Sequence, residues 1–504
     1  MKKRERTAGV LLPITSLPSA YGIGTVGKAA YDFVDFLKKA GQTYWQILPV
    51  GPTGYGDSPY QSFSTFAGNP YFVDLEKLIE EGLLKKAECD KADLGDNPQY
   101  IDYEEQYFVR FPLLQKAYDR FCRAGGDKTP EYLSFCKRNA DWLDDYALFM
   151  AIKNDYEGKS FSLWDADIRT RQKKAMDAYR KKCERDYGFY HFLQFEFDKQ
   201  WTALKTYANE NGIRIIGDIP IYVSPDSADT WANPELFQLD EACVPRRVAG
   251  CPPDYFCRTG QLWGNPLYDW EYHKKTGYEW WIRRIAHCFS LYDVVRIDHF
   301  RGFDEYYSIP YGDPTAEFGY WVKGPGMDLF DAIRKKLGKI DVIAEDLGFL
   351  TPSVIRLVKK TGYPGMKVLQ FGFDPEGDSG YLPHNYPENC VVYTGTHDND
   401  TSLGTYRSMK RAEKAFAKDY LGIRGQNDVS WACIRAALAS CGNTAVIPIQ
   451  DYLGLGSEAR INTPSTLGQN WQWRLLPGQL TDELADKIRR MCFVYARCPQ
   501  QNTK

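Results

Sequence analysis

Short apolar runs rich in β-branched residues recur along the 504-residue chain and alternate with amphipathic stretches. The runs predict eight β-strands, which cover residues 9–17, 43–50, 213–223, 293–300, 339–346, 365–373, 389–398 and 443–451. Apolar residues at helical spacing predict helices at 26–40, 278–290, 326–337, 351–361, 427–440 and near 481–496. Many strands are apolar on both faces, which is typical of a parallel sheet covered on both sides. Eight strand–helix units favour an α/β fold of the closed (β/α)8 TIM-barrel type over an open sheet.

Two connections between the predicted strands are too long for simple crossovers, and we expect them to be insertions on the barrel. Residues 51–200, after the second strand, begin with a loop rich in glycine, proline and aromatic residues and continue as a mainly helical, highly charged subdomain. Residues 224–277, after the third strand, predict an ordered, loop-rich insertion over a functional site. Few residues follow the eighth strand, so we expect one catalytic barrel over 1–504 with no C-terminal β-sandwich domain.

Composition narrows the class of protein. The chain is 43% hydrophobic and 26% charged, which is typical of a globular protein, and it has no run of 18 apolar residues that would suggest a membrane helix. The opening MKKRERTAGVLLP has no apolar stretch of signal length before the first strand, so we do not expect export. A net charge of −3 without a long basic run argues against a nucleic-acid partner. The 13 cysteines are odd in number and irregularly spaced, which favours reduced thiols and a cytoplasmic location.

The predicted fourth strand carries charge where a buried strand should be apolar. In VVRIDHFRGF, residues 294–303, Arg296 and Asp298 share one face while Val295 and Ile297 share the other. Against the surrounding helices the charged pair would have neither water nor partners. We therefore expect Arg296 and Asp298 to face the barrel interior near its C-terminal rim, where barrel enzymes place their chemistry.

Two further strands end in acidic residues. The fifth ends in AED with Glu345, and the seventh ends in THDND with His397 and Asp398. Because the strands of a barrel end at one rim, these carboxylates and Asp298 are expected to converge. Such a cluster could hold Mg²⁺ or Ca²⁺, but Arg296 would repel a cation and no phosphate-binding glycine loop is present.

Paired carboxylates in an aromatic-rich cleft are better suited to cleavage of a glycosidic bond, in which one acid protonates the leaving oxygen and another attacks the anomeric carbon. We expect Arg296 to lower the pKa of Asp298, so that Asp298 is an ionised nucleophile. Glu345, on a less basic strand end, is then the proton donor.

The segments GDIPIYV, RIDHFRGF, AEDLG and TGTHDND resemble the strand-end regions of the α-amylase superfamily. Together with GPTGYGDSPYQSFSTFAGNP and PPDYFCRTGQLWGNPLYDW, they closely resemble the 4-α-glucanotransferases of glycoside hydrolase family 77, also called amylomaltases or disproportionating enzymes. The resemblance runs from about residue 8 to residue 497 and ends with INTPSTLGQNWQWRLLP.

This resemblance implies a role for each matching residue. Asp298 matches the family's nucleophile, Glu345 its acid/base, and Asp398 the third carboxylate, which holds hydroxyls of the donor sugar. The implied substrate-binding residues, on the donor side and in two loops over the acceptor side, are Tyr60, Asp218, Asp254, Phe256, Gln261, Trp263, Arg296, His397 and Asn462. His299 follows the nucleophile position, so contact with the acceptor and a purely structural role are both open for it.

The reaction implied by the resemblance is a retaining double displacement on α-1,4-glucans, with maltooligosaccharides or glucose as acceptors and with no cofactor or metal. Retention requires the carboxyl groups of Asp298 and Glu345 to lie roughly 5–5.5 Å apart. Two alternatives stay open: a hydrolase in which water opens the intermediate, and a carbohydrate-binding protein that has lost catalysis. The insertion at 224–277 favours transfer if it excludes water and supplies an acceptor site, and the three intact acids argue against the binding protein.

Overall fold

A computed structural model describes residues 6–499 with the exception of 55, 254–257, 349 and 378. The described residues contain twelve β-strands, numbered in chain order: β1 (Thr7–Leu11), β2 (Tyr44–Gln46), β3 (Arg214–Pro220), β4 (Arg247–Cys251), β5 (Gln261–Pro266), β6 (Val294–Asp298), β7 (Glu305–Pro310), β8 (Tyr320–Lys323), β9 (Val342–Ala344), β10 (Gly365–Val368), β11 (Cys390–Tyr393) and β12 (Thr444–Pro448).

Eight of these strands form a parallel barrel. Their order is β10-β11-β12-β1-β2-β3-β6-β9. Each barrel strand therefore lies beside the barrel strands that come before and after it in the sequence. The ring closes between β9 and β10, where the Ala344 N–H donates to the Pro364 carbonyl at 2.9 Å. Each of the eight predicted strands overlaps one barrel strand, although the regular ladders are shorter than the apolar runs and β1 begins two residues before its predicted start. The predicted (β/α)8 barrel is confirmed.

Helices surround the barrel and fill the first insertion. They are α1 (Lys28–Lys39), α2 (Leu75–Glu80), α3 (Lys86–Cys89), α4 (Tyr103–Glu105), α5 (Phe111–Arg123), α6 (Pro130–Arg138), α7 (Leu143–Asp155), α8 (Ala166–Arg169), α9 (Lys173–Lys182), α10 (Glu184–Glu210), α11 (Ala228–Ala232), α12 (Trp270–Lys275), α13 (Glu279–Leu291), α14 (Met327–Leu337), α15 (Pro352–Thr361), α16 (Ser402–Ser408), α17 (Arg411–Leu421), α18 (Val429–Ala439), α19 (Ile449–Leu453) and α20 (Asp482–Val494). The six predicted helices correspond to α1, α13, α14, α15, α18 and α20, with ends that agree within two residues. Within the described chain, no helix combines the length and apolar character needed to cross a membrane.

The insertions follow the second and third barrel strands, as expected. Helices α2 to α10 lie between β2 and β3, and in this region Tyr190 of α10 donates to Asn154 of α7 at 3.1 Å. The segment after β3 was predicted to be loop-rich but contributes two strands to a second sheet, which is antiparallel and has the order β5-β4-β7-β8. Beyond β12, the described residues form helices and loops and contain no strand. The division into subdomains stays a prediction.

The barrel interior is apolar below the site. Its buried side chains are Leu11, Ile216, Val294, Ile343, Met366, Val368, Val391, Tyr393 and Val446. Val295 and Ile297 instead belong to the core between the strands and the outer layers. Fully burying such a side chain stabilises the fold by roughly 1.5–3 kcal/mol. This alternation turns every second residue of β6 inward, including Arg296 and Asp298.

Candidate active site

Arg296 lies inside the barrel between two acidic side chains. The β3–β6 ladder pairs Asp218 with Arg296, and the Arg296 side chain is only 3% exposed. One terminal nitrogen donates to Asp218, and the other donates to Asp298 Oδ1 at 2.9 Å. The predicted inward position of Arg296 and Asp298 is therefore what the structure has. A planar guanidinium suits this place because it offers separate donors to two carboxylates.

Glu345 lies beside Asp298 because β6 and β9 are neighbouring parallel strands. Their ladder pairs Ile297 with Ala344, and each acid is the next residue of its chain. The Glu345 carboxylate accepts two backbone N–H groups, from His299 at 2.7 Å and from Leu347 at 2.8 Å. His299 adopts a left-handed conformation with φ of 52°, in the turn that follows β6. Two backbone donors thus hold Glu345 in one orientation next to Asp298.

The electrostatics of the two acids differ in one respect from the sequence-based expectation. Burial raises the pKa of Asp298 to about 6, although the charge of Arg296 opposes the increase. The expected net decrease in the pKa of Asp298 is therefore wrong, because loss of solvent outweighs the ion pair. Burial, followed by the negative charge of Asp298, raises the pKa of Glu345 to about 7. The expected order is preserved, since Glu345 holds its proton to higher pH than Asp298.

Asp398 is held by His397 and Asn462. His397 Nε2 lies 3.3 Å from Asp398 Oδ2, and Asn462 Nδ2 donates to Asp398 Oδ1 at 2.6 Å. Burial alone would raise the pKa of Asp398, but the charge of His397 and the hydrogen bonds from both residues lower it well below its ordinary value. The pKa of His397 is raised by Asp398 in spite of its burial. Asp398 is thus an ionised acceptor at neutral pH.

Tyr60 joins the Asp398 group to the Arg296 group. Its hydroxyl donates to Asp218 Oδ2 at 2.9 Å and lies 2.8 Å from His397 Nε2. The rings of Tyr60 and His397 are stacked with centroids 5.3 Å apart. Trp471, which the sequence analysis did not single out, has its ring centroid 5.9 Å from that of Tyr60. Its only signal in the sequence was an aromatic position in the C-terminal motif.

The second insertion reaches the site through Trp263. This ring meets His299 edge-on with centroids 4.8 Å apart, and its Nε1 donates to Gln261 Oε1 at 3.1 Å. Gln261 and Trp263 belong to β5 of the antiparallel sheet. The predicted contacts Asp254 and Phe256 lie outside the described residues.

Three buried polar atoms at the site have no hydrogen-bond partner among the described residues. They are Asp218 Oδ1, His299 Nε2 and His397 Nδ1. Leaving a buried polar atom unpaired costs roughly 1–3 kcal/mol, so these three atoms lower the stability of the fold at the site. Among the described residues, no group of three or more His, Cys, Asp or Glu side chains is arranged to hold a metal ion.

Comparisons with known proteins agree with this geometry. The sequence profile of glycoside hydrolase family 77, described as 4-alpha-glucanotransferase, matches residues 12–480. The chain is 50% identical over 487 residues to the 4-alpha-glucanotransferase of Clostridium butyricum, with 96% of this chain and 99% of the relative covered. It is 48% identical over 494 residues to that of Thermus thermophilus, with 96% and 98% covered.

Among solved structures, the amylomaltase from Streptococcus agalactiae in complex with acarbose superimposes with a TM-score of 0.96 at 41% identity. This match covers 98% of the chain and 100% of the amylomaltase. The profile and the curated relatives each span nearly the entire barrel, including the strand ends that carry Asp298, Glu345 and Asp398. The chain therefore belongs to glycoside hydrolase family 77, the 4-alpha-glucanotransferases.

Proposed function

We propose that the protein transfers α-1,4-glucan segments between maltooligosaccharides, or to glucose, through a covalent glucosyl–enzyme intermediate. The observation that carries this proposal is the pair formed by Asp298 and Glu345 on neighbouring strands. The two acids are held differently, Asp298 by a guanidinium and Glu345 by backbone N–H groups. Family membership and the acarbose bound to the relative from Streptococcus agalactiae support an α-glucan substrate.

In the first step, Asp298 attacks the anomeric carbon of the donor. Because Asp298 Oδ1 accepts from Arg296, we assign the attack to Oδ2. The bond from the anomeric carbon to the leaving oxygen breaks, and Glu345 gives that oxygen its proton. The departing glucan leaves with a free 4-hydroxyl, and the donor segment stays attached to Asp298 as an ester.

In the second step, the 4-hydroxyl of an acceptor replaces the ester. Glu345, now ionised, removes the hydroxyl proton while the acceptor oxygen bonds to the anomeric carbon and the Asp298 ester bond breaks. Two inversions retain the α configuration. This proposal requires the two carboxyl groups to lie roughly 5–5.5 Å apart.

We assign the residues around Asp398 to the donor sugar. Asp398 is ionised and fixed by His397 and Asn462, so it is suited to accept hydrogen bonds from two sugar hydroxyls. The Tyr60 ring provides an apolar face for the sugar. Asp218 acts through Arg296, which it holds next to Asp298.

We assign the acceptor side to Gln261, Trp263 and His299, together with Asp254 and Phe256 of the same insertion. The edge-on contact of Trp263 with His299 supports this assignment, because it brings the insertion to the residue after the nucleophile. Residues 224–277 would then cover the acceptor and reduce access of water to the intermediate. A cytoplasmic location is part of this proposal and is supported by the free thiols of the described cysteines.

Incubation of the protein with maltotriose alone tests this function. We expect glucose together with a ladder of longer maltooligosaccharides, separated by anion-exchange chromatography. Glucose and maltose without longer products would show a hydrolase instead, and no conversion would show a binding protein.

The Asp298→Asn variant is expected to abolish all products while the circular dichroism spectrum stays unchanged. Asp341→Asn is the matched control, because Asp341 pairs with Arg214 at 2.7 Å at the opposite end of the barrel. Appreciable transfer by Asp298→Asn would contradict the assignment of the nucleophile.

A further inference from the structure

Asp398 is held in place differently from the other two acids. Asp298 is the last residue of β6 and Glu345 directly follows β9, so the strand ladders determine both positions. Asp398 lies five residues beyond Tyr393, the last residue of β11. At this distance from the ladder, its position depends on its own turn, in which the Asp398 N–H donates to Thr396 Oγ1 at 3.3 Å, and on bonds to another loop.

Those bonds come from the loop that follows α19. Arg460 Nη2 donates to the backbone carbonyl of Asp398 at 2.8 Å, and Arg460 Nε donates to the carbonyl of Asn462 at 2.7 Å. Asn462 in turn donates its backbone N–H to the His397 carbonyl at 3.1 Å and its Nδ2 to Asp398 Oδ1 at 2.6 Å. The Arg460 guanidinium thus joins the backbone of Asp398 to the backbone of Asn462, whose side chain binds the Asp398 carboxylate.

We infer that Arg460 is a positioning residue for Asp398, an inference that rests on the proposed function. The guanidinium reaches two carbonyls in two loops through two separate nitrogens in fixed geometry, which the single ammonium nitrogen of a lysine does not reproduce. Without it, among the described hydrogen bonds only those of Asn462 connect this loop to His397 and Asp398, so Asn462 and Asp398 could shift relative to each other. Displacement of a group that grips the sugar by even about 1 Å can lower a rate on the order of 100-fold.

Other contacts anchor the loop without reaching Asp398. Ser457 donates to Asp400 at 2.7 Å, and Gln450 donates to the carbonyl of Ala459 at 3.2 Å. These contacts keep the segment folded when Arg460 is replaced. The effect of the replacement should therefore fall on the register between Asn462 and Asp398 and leave the overall fold intact.

The variants Arg460→Gln and Arg460→Lys test the inference. For Arg460→Gln we expect kcat/KM for maltotriose to fall about 10- to 100-fold, mainly through kcat, since hydrogen bonds to charged groups are lost. The Kd of acarbose, measured by tryptophan fluorescence, should rise by a similar factor. Arg460→Lys should lie between Arg460→Gln and the unmodified protein. A merely structural role would lower the fraction of folded enzyme and leave the Kd of acarbose unchanged.

Arg6→Gln is the matched control. Arg6 donates to the backbone carbonyls of Tyr495, Ser440 and Leu438 just before β1, at the end of the barrel away from the site. We expect its kcat/KM and its Kd for acarbose to stay within about twofold of the unmodified protein, which is within the usual range for a substitution remote from the chemistry.

Three results would overturn the inference: Arg460→Gln values within about twofold of the unmodified protein, lost activity with an unchanged Kd, or an equal loss in Arg6→Gln. Failure of the unmodified protein to extend maltotriose would instead overturn the proposed function. The two failures are distinguishable, because the second is seen without any variant.

Discussion

The proton of Glu345 should control the alkaline side of the pH profile for glucan donors. With a pKa of about 7, Glu345 is protonated in about half of the molecules at pH 7 and in about one in ten at pH 8. We therefore expect kcat/KM for maltotriose to fall about tenfold per pH unit above pH 7. Below about pH 6 it should fall again, because Asp298 becomes protonated and cannot attack. The two apparent pKa values belong to the interacting pair.

A donor with a good leaving group distinguishes the acidic decline of the pH profile from the alkaline one. Fluoride departs with little protonation. Because kcat/KM for the donor reflects only the steps up to that departure, the pH profile for α-glucosyl fluoride should show only the acidic decline. Glu345→Gln should lower kcat/KM for maltotriose by roughly 100- to 10,000-fold, the range for loss of a general acid, and lower kcat/KM for the fluoride much less. The assay is initial-rate measurement between pH 4.5 and pH 9 with both donors. An equal alkaline decline with both donors, or an equal loss in the variant, would refute the acid role of Glu345.

Three further outcomes are expected. Arg296→Lys should lower kcat/KM for maltotriose at least about tenfold, because an ammonium cannot replace the fork between two carboxylates; a loss below about threefold in initial rates would contradict this. Trp263→Ala should lower the ratio of transfer to hydrolysis several-fold, measured as longer products against new reducing ends, because water gains access beside His299. Burial raises the pKa of Glu196 from 4.5 to about 7, although the charge of Lys199 opposes the increase. Glu196 therefore takes up a proton when the protein folds between these pH values, and its contribution to stability is lost as the pH rises from about 4.5 through 7. The stability of Glu196→Gln relative to the unmodified protein should therefore increase by at most about 3 kcal/mol between pH 4 and pH 8, as followed by thermal unfolding; a constant difference would contradict the buried charge.

The barrel and its acids could be predicted because both follow from patterns within single strands. Strands that are apolar on both faces indicate a buried parallel sheet, and an inward arginine next to an aspartate has no place in such a strand except at the functional rim. The ladder then determined that Asp298 and Glu345 lie side by side. These inferences needed only local sequence and the geometry of parallel strands.

The antiparallel sheet and the loop contacts could not be predicted in the same way. Strands β4 and β5 lie in a segment rich in proline and glycine, and their partner β7 comes from a different connection, so no local pattern marks the pairing. Arg460 is a single arginine in an irregular loop, and only the three-dimensional structure shows that it reaches Asp398. The pKa of Asp298 was predicted in the wrong direction because its charged neighbour is visible in the sequence and its loss of solvent is not.

The causes of the raised pKa of Glu345 suggest how one residue serves both steps of the proposed reaction. After burial, the negative charge of Asp298 is the largest contribution that keeps the proton on Glu345. When Asp298 forms an ester with the sugar, that charge disappears, and the pKa of Glu345 should fall while Arg296 remains nearby. Glu345 is then ionised at neutral pH when the acceptor arrives, as a general base must be. Formation of the Asp298 ester thus converts Glu345 from an acid into a base. If the two acids did not interact, Glu345 would hold its proton equally well in both steps and would be a poor base when the acceptor arrives.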